Sequence, residues 1–147
     1  MCIRDRKIDS LGLSNIRPVQ GVMGALSYPS DSFDAVICTW AMGHGFIADA
    51  ERAIAEIYRV VRAGGTVITD FMSTLDSTFG IGVQLEPNTF LGSMKGEEHI
   101  PHHYFTQSEL RTLFANFTHI DIAPVRYEYG PDHARHSIEA FDVMANK

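Results

Sequence analysis

Apolar positions fall into two regular blocks on either side of an irregular middle. Phe33 to Trp40 (FDAVICTW) is a nearly continuous apolar run, bounded upstream by the turn cluster Tyr28-Pro29-Ser30-Asp31-Ser32. Such a run reads as a strand buried on both faces, as in a parallel sheet. From Asp49 the spacing changes to threes and fours. Ala50, Ala53, Ile54, Ile57, Tyr58 and Val61 share one face of a helix that Asp49 caps and that runs to about Arg62. Ala63-Gly64-Gly65 stops it, because glycine takes the left-handed position past a helix end without a Cβ penalty. Thr66 to Phe71 (TVITDF) is a second buried strand. A strand, a helix and a strand joined this closely form a right-handed crossover with parallel strands.

The flanks are less regular. Lys7 to Ser14 reads as the tail of a helix, and Ile16 to Met23 as a short strand, with Pro18 near a sheet edge or among the strand's own first residues, that either pairs irregularly beside Phe33 to Trp40 or frays. Met72 to His103 carries Gly80, Gly82, Gly92, Gly96, Pro87 and Pro101 with no sustained period, which predicts a long functional or mobile loop. Thr106-Gln107-Ser108-Glu109 is a capping box, and Leu110, Leu113, Phe114 and Phe117 continue it as an amphipathic helix. His119 to Ile122 alternates as a strand, Gly130-Pro131-Asp132 is a turn, and Ser137 to Met144 is a last strand antiparallel to the one before it.

Composition narrows the function classes. The 147 residues hold 12 Lys plus Arg against 18 Asp plus Glu, a net charge of −6. An acidic balance argues against nucleic acid as a partner, since phosphate binding needs a basic patch. No apolar run reaches the roughly 18 residues that span a bilayer, so no membrane partner is expected. With two cysteines, Cys2 and Cys38, a disulfide framework is not expected and a reducing cytoplasm is the default location. The opening Met1-Cys2-Ile3-Arg4-Asp5-Arg6 resembles translated adapter sequence, so residues 1–6 are set aside as a non-native leader and fold reasoning begins at residue 7.

In open parallel sheets, ligands bind beyond the carboxyl ends of the strands. Those ends are Gly21 to Gly24, Thr39 to His44 and Asp70 to Ser73. The blocks ALSYPSDSFDAVICTWAMGH and IAEIYRVVRAGGTVITDF, followed by HIPHHYFTQSELRTLFANF and HSIEAFDVMANK, together resemble the class I S-adenosylmethionine-dependent methyltransferases. The resemblance covers most of the chain after Ile16 and implies an α/β, Rossmann-like doubly wound sheet. That sheet is mostly parallel, with a C-terminal antiparallel hairpin. In the family's order, 3-2-1-4-5-7-6, this chain is expected to lack the first two strands, so that residues 7–147 form a partial methyltransferase domain. Base-rate lengths agree, since a full domain needs on the order of 170 residues.

The resemblance implies S-adenosyl-L-methionine as cofactor. Gly21, Val22 and Met23 match the segment at the adenine edge, and Thr39 and Trp40 match the end of the fourth strand beside the cofactor. Val22 stands where the family usually has an acidic residue, and Ala63 where it has a proline. The implied reaction is displacement at an already activated methyl group, to which the protein adds placement, exclusion of water and, for an oxygen or nitrogen acceptor, a base.

His44 is the first candidate base; its competing reading is a hydrogen bond to a loop carbonyl. His102, His103 and Tyr104 are candidates for binding a small-molecule acceptor, and Phe79, Phe90 and Phe105 either join them or pack the loop on the core. His99, His102 and His103 are the most metal-like group, but without a matching cysteine or carboxylate no metal is expected. His133 and His136 read as solvated, Cys38 as an inert core residue, and Asp70 as either facing the cofactor crevice or serving its loop.

The implied function is a methyltransferase fragment acting on a small-molecule acceptor, itself expected to be weak or inactive. The alternative is a non-catalytic α/β partner-binding module of the same fold. A nicotinamide dehydrogenase ranks below both, because no Gly-x-Gly-x-x-Gly turn is present.

Overall fold

The structure is a computed structural model that describes residues 8, 10–129 and 136–147. The leader, Lys7 and Asp9 of the N-terminal helix tail, the turn Gly130-Pro131-Asp132, and the side chains of His133 and His136 lie outside the described residues.

The two buried strands form as expected. Strand β1 (Phe33–Cys38) leads through helix α1 (Ile47–Val60) into strand β2 (Val61–Met72), and β1 and β2 pair in parallel from Ala35↔Thr66 to Cys38↔Thr69. Helix α1 starts two residues before Asp49. Phe46 is its N-cap, and Asp49, at the third helical position, accepts the Phe46 N–H through its carboxylate at 2.9 Å. The carboxylate still satisfies a free N–H of the first turn, from one turn inside.

The chain enters β2 at Val61, so the glycines expected to end the helix fall within the strand. They loop out where the register slips between Phe33↔Val61 and Ala35↔Thr66. Gly64 sits at φ +75°, and a Cβ on Gly65 would come within 2.8 Å of the Asp34 carbonyl. Only glycine lets β2 approach β1 that closely.

Three further strands, β3 (Val83–Glu86), β4 (Thr89–Leu91) and β5 (Pro101–His103), lie in the segment read as a loop. They form an antiparallel sheet in the order β3-β4-β5. Its hairpin turns at Pro87-Asn88, with Asn88 at φ 61°. Helix α2 (Gln107–Leu113) follows, and Thr106 and Glu109 close the capping box. The C-terminal hairpin, β6 (His119–Tyr129) and β7 (His136–Asn146), extends further than its alternation suggested. Strand β7 lies antiparallel between β2 and β6, giving the order β1-β2-β7-β6.

Ile16 to Met23 is not a strand. Among the described residues its only pairing is a bridge between Val22 and Ala25, and Ile16, Val19 and Val22 stay exposed. Without a neighbour its backbone groups have no ladder to join, and water satisfies them equally well. Downstream the segment is held by side chains. Glu56 accepts the Leu26 N–H at 2.7 Å, while Arg59 donates to the carbonyls of Tyr28 and Leu26.

Alternation along the strands divides the molecule. Val67, Phe71, Phe141, Val143, Ala145 and Ile122 turn to one face, where Ala50, Ala53, Ile54 and Ile57 of α1 and Leu110 and Phe114 near α2 cover them. The opposite face bears Ile37, Ile68 and Met144, all exposed. Helices therefore cover one face among the described residues, in place of the doubly wound arrangement expected. At one end of that second face a smaller core, Met72, Ala140, Ile138, Phe90 and Tyr104, seats the β3–β5 sheet. Among the described residues, no helix is long and apolar enough to cross a membrane.

Two outcomes test this division. Phe71 is 1% exposed and meets Phe105 and Phe114 edge to face, so Phe71→Ala should cost about 3–5 kcal/mol in urea unfolding. Ile68, the next residue and 43% exposed, should cost under about 1 kcal/mol as alanine. Equal losses would contradict the face assignment. The second outcome concerns acid. Arg59, and then the Leu26 N–H, hold the Glu56 carboxyl down to about 2 from 4.5. A depressed carboxylate contributes stability that is fully present above the unfolded value and fades as pH falls toward the folded one. Glu56→Gln should therefore lower the melting temperature at pH 6, and the difference should vanish between about pH 4.5 and pH 2. A difference that persists at pH 2 would rule this out.

Candidate functional site

The carboxyl ends of β1 and β2 open into a cavity of about 160 Å³. Trp40, Ala41, Gly43 and His44 of the loop after β1 form one side, Asp70 and Met72 the end of β2, and Ile138 of β7 the floor. The β3–β5 segment closes it with Met94, Glu97 and His102.

Backbone bonds fix this closure. Gly45 N–H donates to the Pro101 carbonyl at 2.7 Å and His103 N–H to the Gly43 carbonyl at 2.8 Å, so the loop after β1 and strand β5 behave as a short antiparallel pair around His44↔His102. On the other side Phe105 N–H donates to Met72 O at 2.7 Å and Thr74 N–H to Phe105 O at 3.1 Å.

The clamp brings His44 and His102 to 5.0 Å between ring centres, with Glu97 between them. Glu97 Oε2 lies 2.8 Å from His102 Nε2 and 3.3 Å from His44 Nε2. Its bond to His102 holds the Glu97 carboxyl below the ordinary carboxylate range, against the opposing effect of burial. His44 Nδ1 lies 3.2 Å from the Ala41 carbonyl, so the loop hydrogen bond and the cavity position, read as competitors in the sequence, are both present.

Asp70 lies across the cavity and is 6% exposed. Its Oδ1 accepts the Trp40 N–H at 2.8 Å, which holds Trp40 at φ 53° and its ring edge-on to Tyr127. Burial pushes the Asp70 carboxyl up, the Trp40 N–H partly offsets this, and Asp142 adds to the rise. Tyr127 donates to Asp142, which pushes its phenol up to about 12. Cys38 is half-buried in β1, its thiol pushed up by burial and by Asp70.

The other acceptor-side candidates turn away. Alternation along β5 sends His103 to the face opposite His102, where it is buried against Thr89 at 2.7 Å and its imidazole is pushed down by burial. Tyr104 is fully buried and donates to Thr78 Oγ1 at 2.8 Å. Phe79, Phe90 and Tyr104 pack edge to face, and Phe105 packs on Phe71. None of these residues lines the cavity; Phe90, Tyr104 and Phe105 serve the two cores, and Phe79 packs on Phe90 and Tyr104 while 37% exposed. His99 is exposed and does not join His102. Glu97 escaped the sequence reading, because its place beside two histidines is made by a turn between β4 and β5 and not by a regular spacing.

On the cofactor side Met23 Sδ lies 4.0 Å from Cys38 Sγ, which sets Gly21, Val22 and Met23 beside the end of β1 near Thr39. Val22 is 70% and Trp40 45% exposed.

A family described as a methyltransferase domain matches residues 3–69. A demethylmenaquinone methyltransferase of Thermus thermophilus is 37% identical over 82 residues, 55% of this chain and 36% of the relative. The chain spans between 21% and 36% of the length of such curated relatives. Among solved structures, a SAM-dependent methyltransferase of Methanosarcina mazei superposes with a TM-score of 0.74 at 20% identity, over 97% of this chain and 74% of that one. The 1,6-didemethyltoxoflavin-N1-methyltransferase of Burkholderia thailandensis, solved with S-adenosylhomocysteine, gives 0.64 at 15% identity over 100% of this chain and 57% of that one. The match over residues 3–69 and the shared fold agree with the motifs read at the outset: the chain is similar in sequence to methyltransferase domains and has the fold of SAM-dependent methyltransferases.

Proposed function

We propose that this chain carries the acceptor side of a methyltransferase that uses S-adenosyl-L-methionine and acts on a small molecule. The observation that carries the reading is the cavity at the carboxyl ends of the parallel pair β1 and β2, where this family's fold brings donor and acceptor together. When bound, the cofactor supplies a methyl group already activated by its sulfonium.

The remaining work falls to residues of this chain. Val22, Met23, Thr39 and Trp40 offer a flat wall for the adenine. Met72, Met94, Ile138 and Trp40 give the cavity apolar sides that exclude water, and His44, His102 and Glu97 give it one polar end. That division suits a flat apolar acceptor with a single hydroxyl or ring nitrogen. Two of the similar proteins bear the names of enzymes for demethylmenaquinone and 1,6-didemethyltoxoflavin. His44, braced by the Ala41 carbonyl, is positioned to take the acceptor's proton at Nε2.

A second reading, a non-catalytic partner-binding module, is favoured by the exposed sheet face Ile37, Ile68 and Met144. Light scattering after size exclusion addresses it: a monomer with a cooperative melt speaks against a partner needed at that face.

Trp40 is the sole tryptophan, so its fluorescence reports directly on the cavity and the wall. Adding S-adenosylhomocysteine should change its emission saturably. Val22→Asp, which restores an acceptor for the adenine amino group, should tighten that binding by about 2- to 10-fold, the worth of one hydrogen bond. No saturable change in either protein would contradict the reading.

A further inference from the structure

We propose that His44, Glu97 and His102 form a seat for a divalent cation of the zinc type, with one coordination position open to the cavity. Each of the three side chains offers one ligand atom, and those atoms all lie within 4.8 Å of one another. Around zinc, with bonds of about 2.0–2.2 Å, tetrahedral ligand atoms stand roughly 3.3 Å apart. The Glu97–His44 separation of 3.3 Å already matches that spacing, and the Glu97–His102 separation of 2.8 Å needs to widen by a fraction of an ångström.

The hydrogen-bond chemistry calls for a positive charge at this point. A carbonyl oxygen only accepts, so the contact to Ala41 places a proton on Nδ1 of His44 and leaves a lone pair on Nε2. That lone pair faces Glu97 Oε2, another acceptor, at 3.3 Å. His102 presents its own Nε2 to the same oxygen, and its Nδ1 is buried with no hydrogen-bond partner, so the ring is satisfied at most on the Glu97 side. Two imidazole nitrogens and a carboxylate oxygen thus converge with at most one proton among them for neutral rings. A cation would convert all three lone pairs into ligands. The Nδ1–H bond from His44 to a backbone carbonyl is also the outer-shell contact that orients metal-binding histidines.

The seat is assembled before any ligand arrives. Bonds between residues 43–45 and β5 hold the two histidines opposite each other through the backbone, and His102 is 1% exposed. Two imidazoles and one carboxylate are a zinc donor set that leaves room for a fourth ligand. Here that position faces Trp40, Asp70 and Met72. It would take a hydroxyl, a thiol or water and lower its pKa, so that the proton passes to solvent before methyl transfer; with Nε2 bound to the cation, the ion would replace His44 as the group that deprotonates the acceptor. The seat does not depend on the methyl-transfer reading; only the identity of the fourth ligand rests on it.

The test is a titration of the chelator-stripped 147-residue chain with Zn²⁺ against a chromophoric chelator, with X-ray absorption on the loaded protein. The proposal expects one ion per chain held by two imidazoles and an oxygen ligand. His44→Ala and Glu97→Gln, both at exposed or half-exposed sites, should each weaken binding by at least about tenfold with unchanged melting curves in chelator. His99→Ala should bind like the starting protein. Absence of stoichiometric binding, or equal binding by His44→Ala and Glu97→Gln, would overturn the seat and leave a shared proton as the charge between the rings. Because the readouts are stoichiometry and ligand type, they stand or fall separately from S-adenosylhomocysteine binding at Trp40.

Discussion

Two backbone hydrogen bonds, Gly45 N–H to the Pro101 carbonyl and His103 N–H to the Gly43 carbonyl, decide where the chemistry of this chain can happen. They join the loop leaving β1 to a strand more than fifty residues later, and so join the main sheet to the small one. The cavity exists because of that join. Its polar end is made from His44 on one side of the clamp and His102 on the other, and Glu97 reaches both from the turn between β4 and β5. Backbone bonds position these groups more firmly than surface side-chain pairs would, since each satisfies polar groups that would otherwise compete for water.

Strand β2 carries the second constraint. Its alternation sends Val67 and Phe71 into the helix-covered core and Asp70 and Met72 toward the cavity. A one-residue slip would exchange the two sets and put Phe71 in the crevice. Parallel pairing with β1 fixes the register on one side, and seven antiparallel pairs with β7 fix it on the other. Packing and chemistry are therefore written on the same twelve residues, on opposite faces.

The fold was legible where burial makes a strong period. FDAVICTW and TVITDF announce β1 and β2, Ala50 to Ile57 announces the helix between them, and Thr106 with Glu109 announces α2. The small sheet was hidden because β3 and β4 are three or four residues long and most of β3 is exposed, so no alternation accumulates. A local signal was available at Glu86-Pro87-Asn88-Thr89: proline before an asparagine that accepts a positive φ is the chemistry of a hairpin turn. Ile16 to Met23 has a strand-like composition but no neighbour to pair with, so of the two outcomes open to it, irregular pairing beside β1 or fraying, it forms no ladder. At the site, His44 could be placed from its position past β1, and Asp70 from its position near the carboxyl end of β2. Glu97 could not, and His103 and Tyr104 were wrongly grouped with His102 because alternation in so short a strand shows only once its partners are known.

The central claim is that the segment after β1 and strand β5 are one hydrogen-bonded unit. Amide hydrogen exchange of the unmodified chain measures this directly. The account predicts that the Gly45 and His103 amides exchange as slowly as those in the β2–β7 pairing, because they open only when the two sheets part. Exchange of these two amides at the rate of the exposed Ile16 to Val22 segment would contradict it.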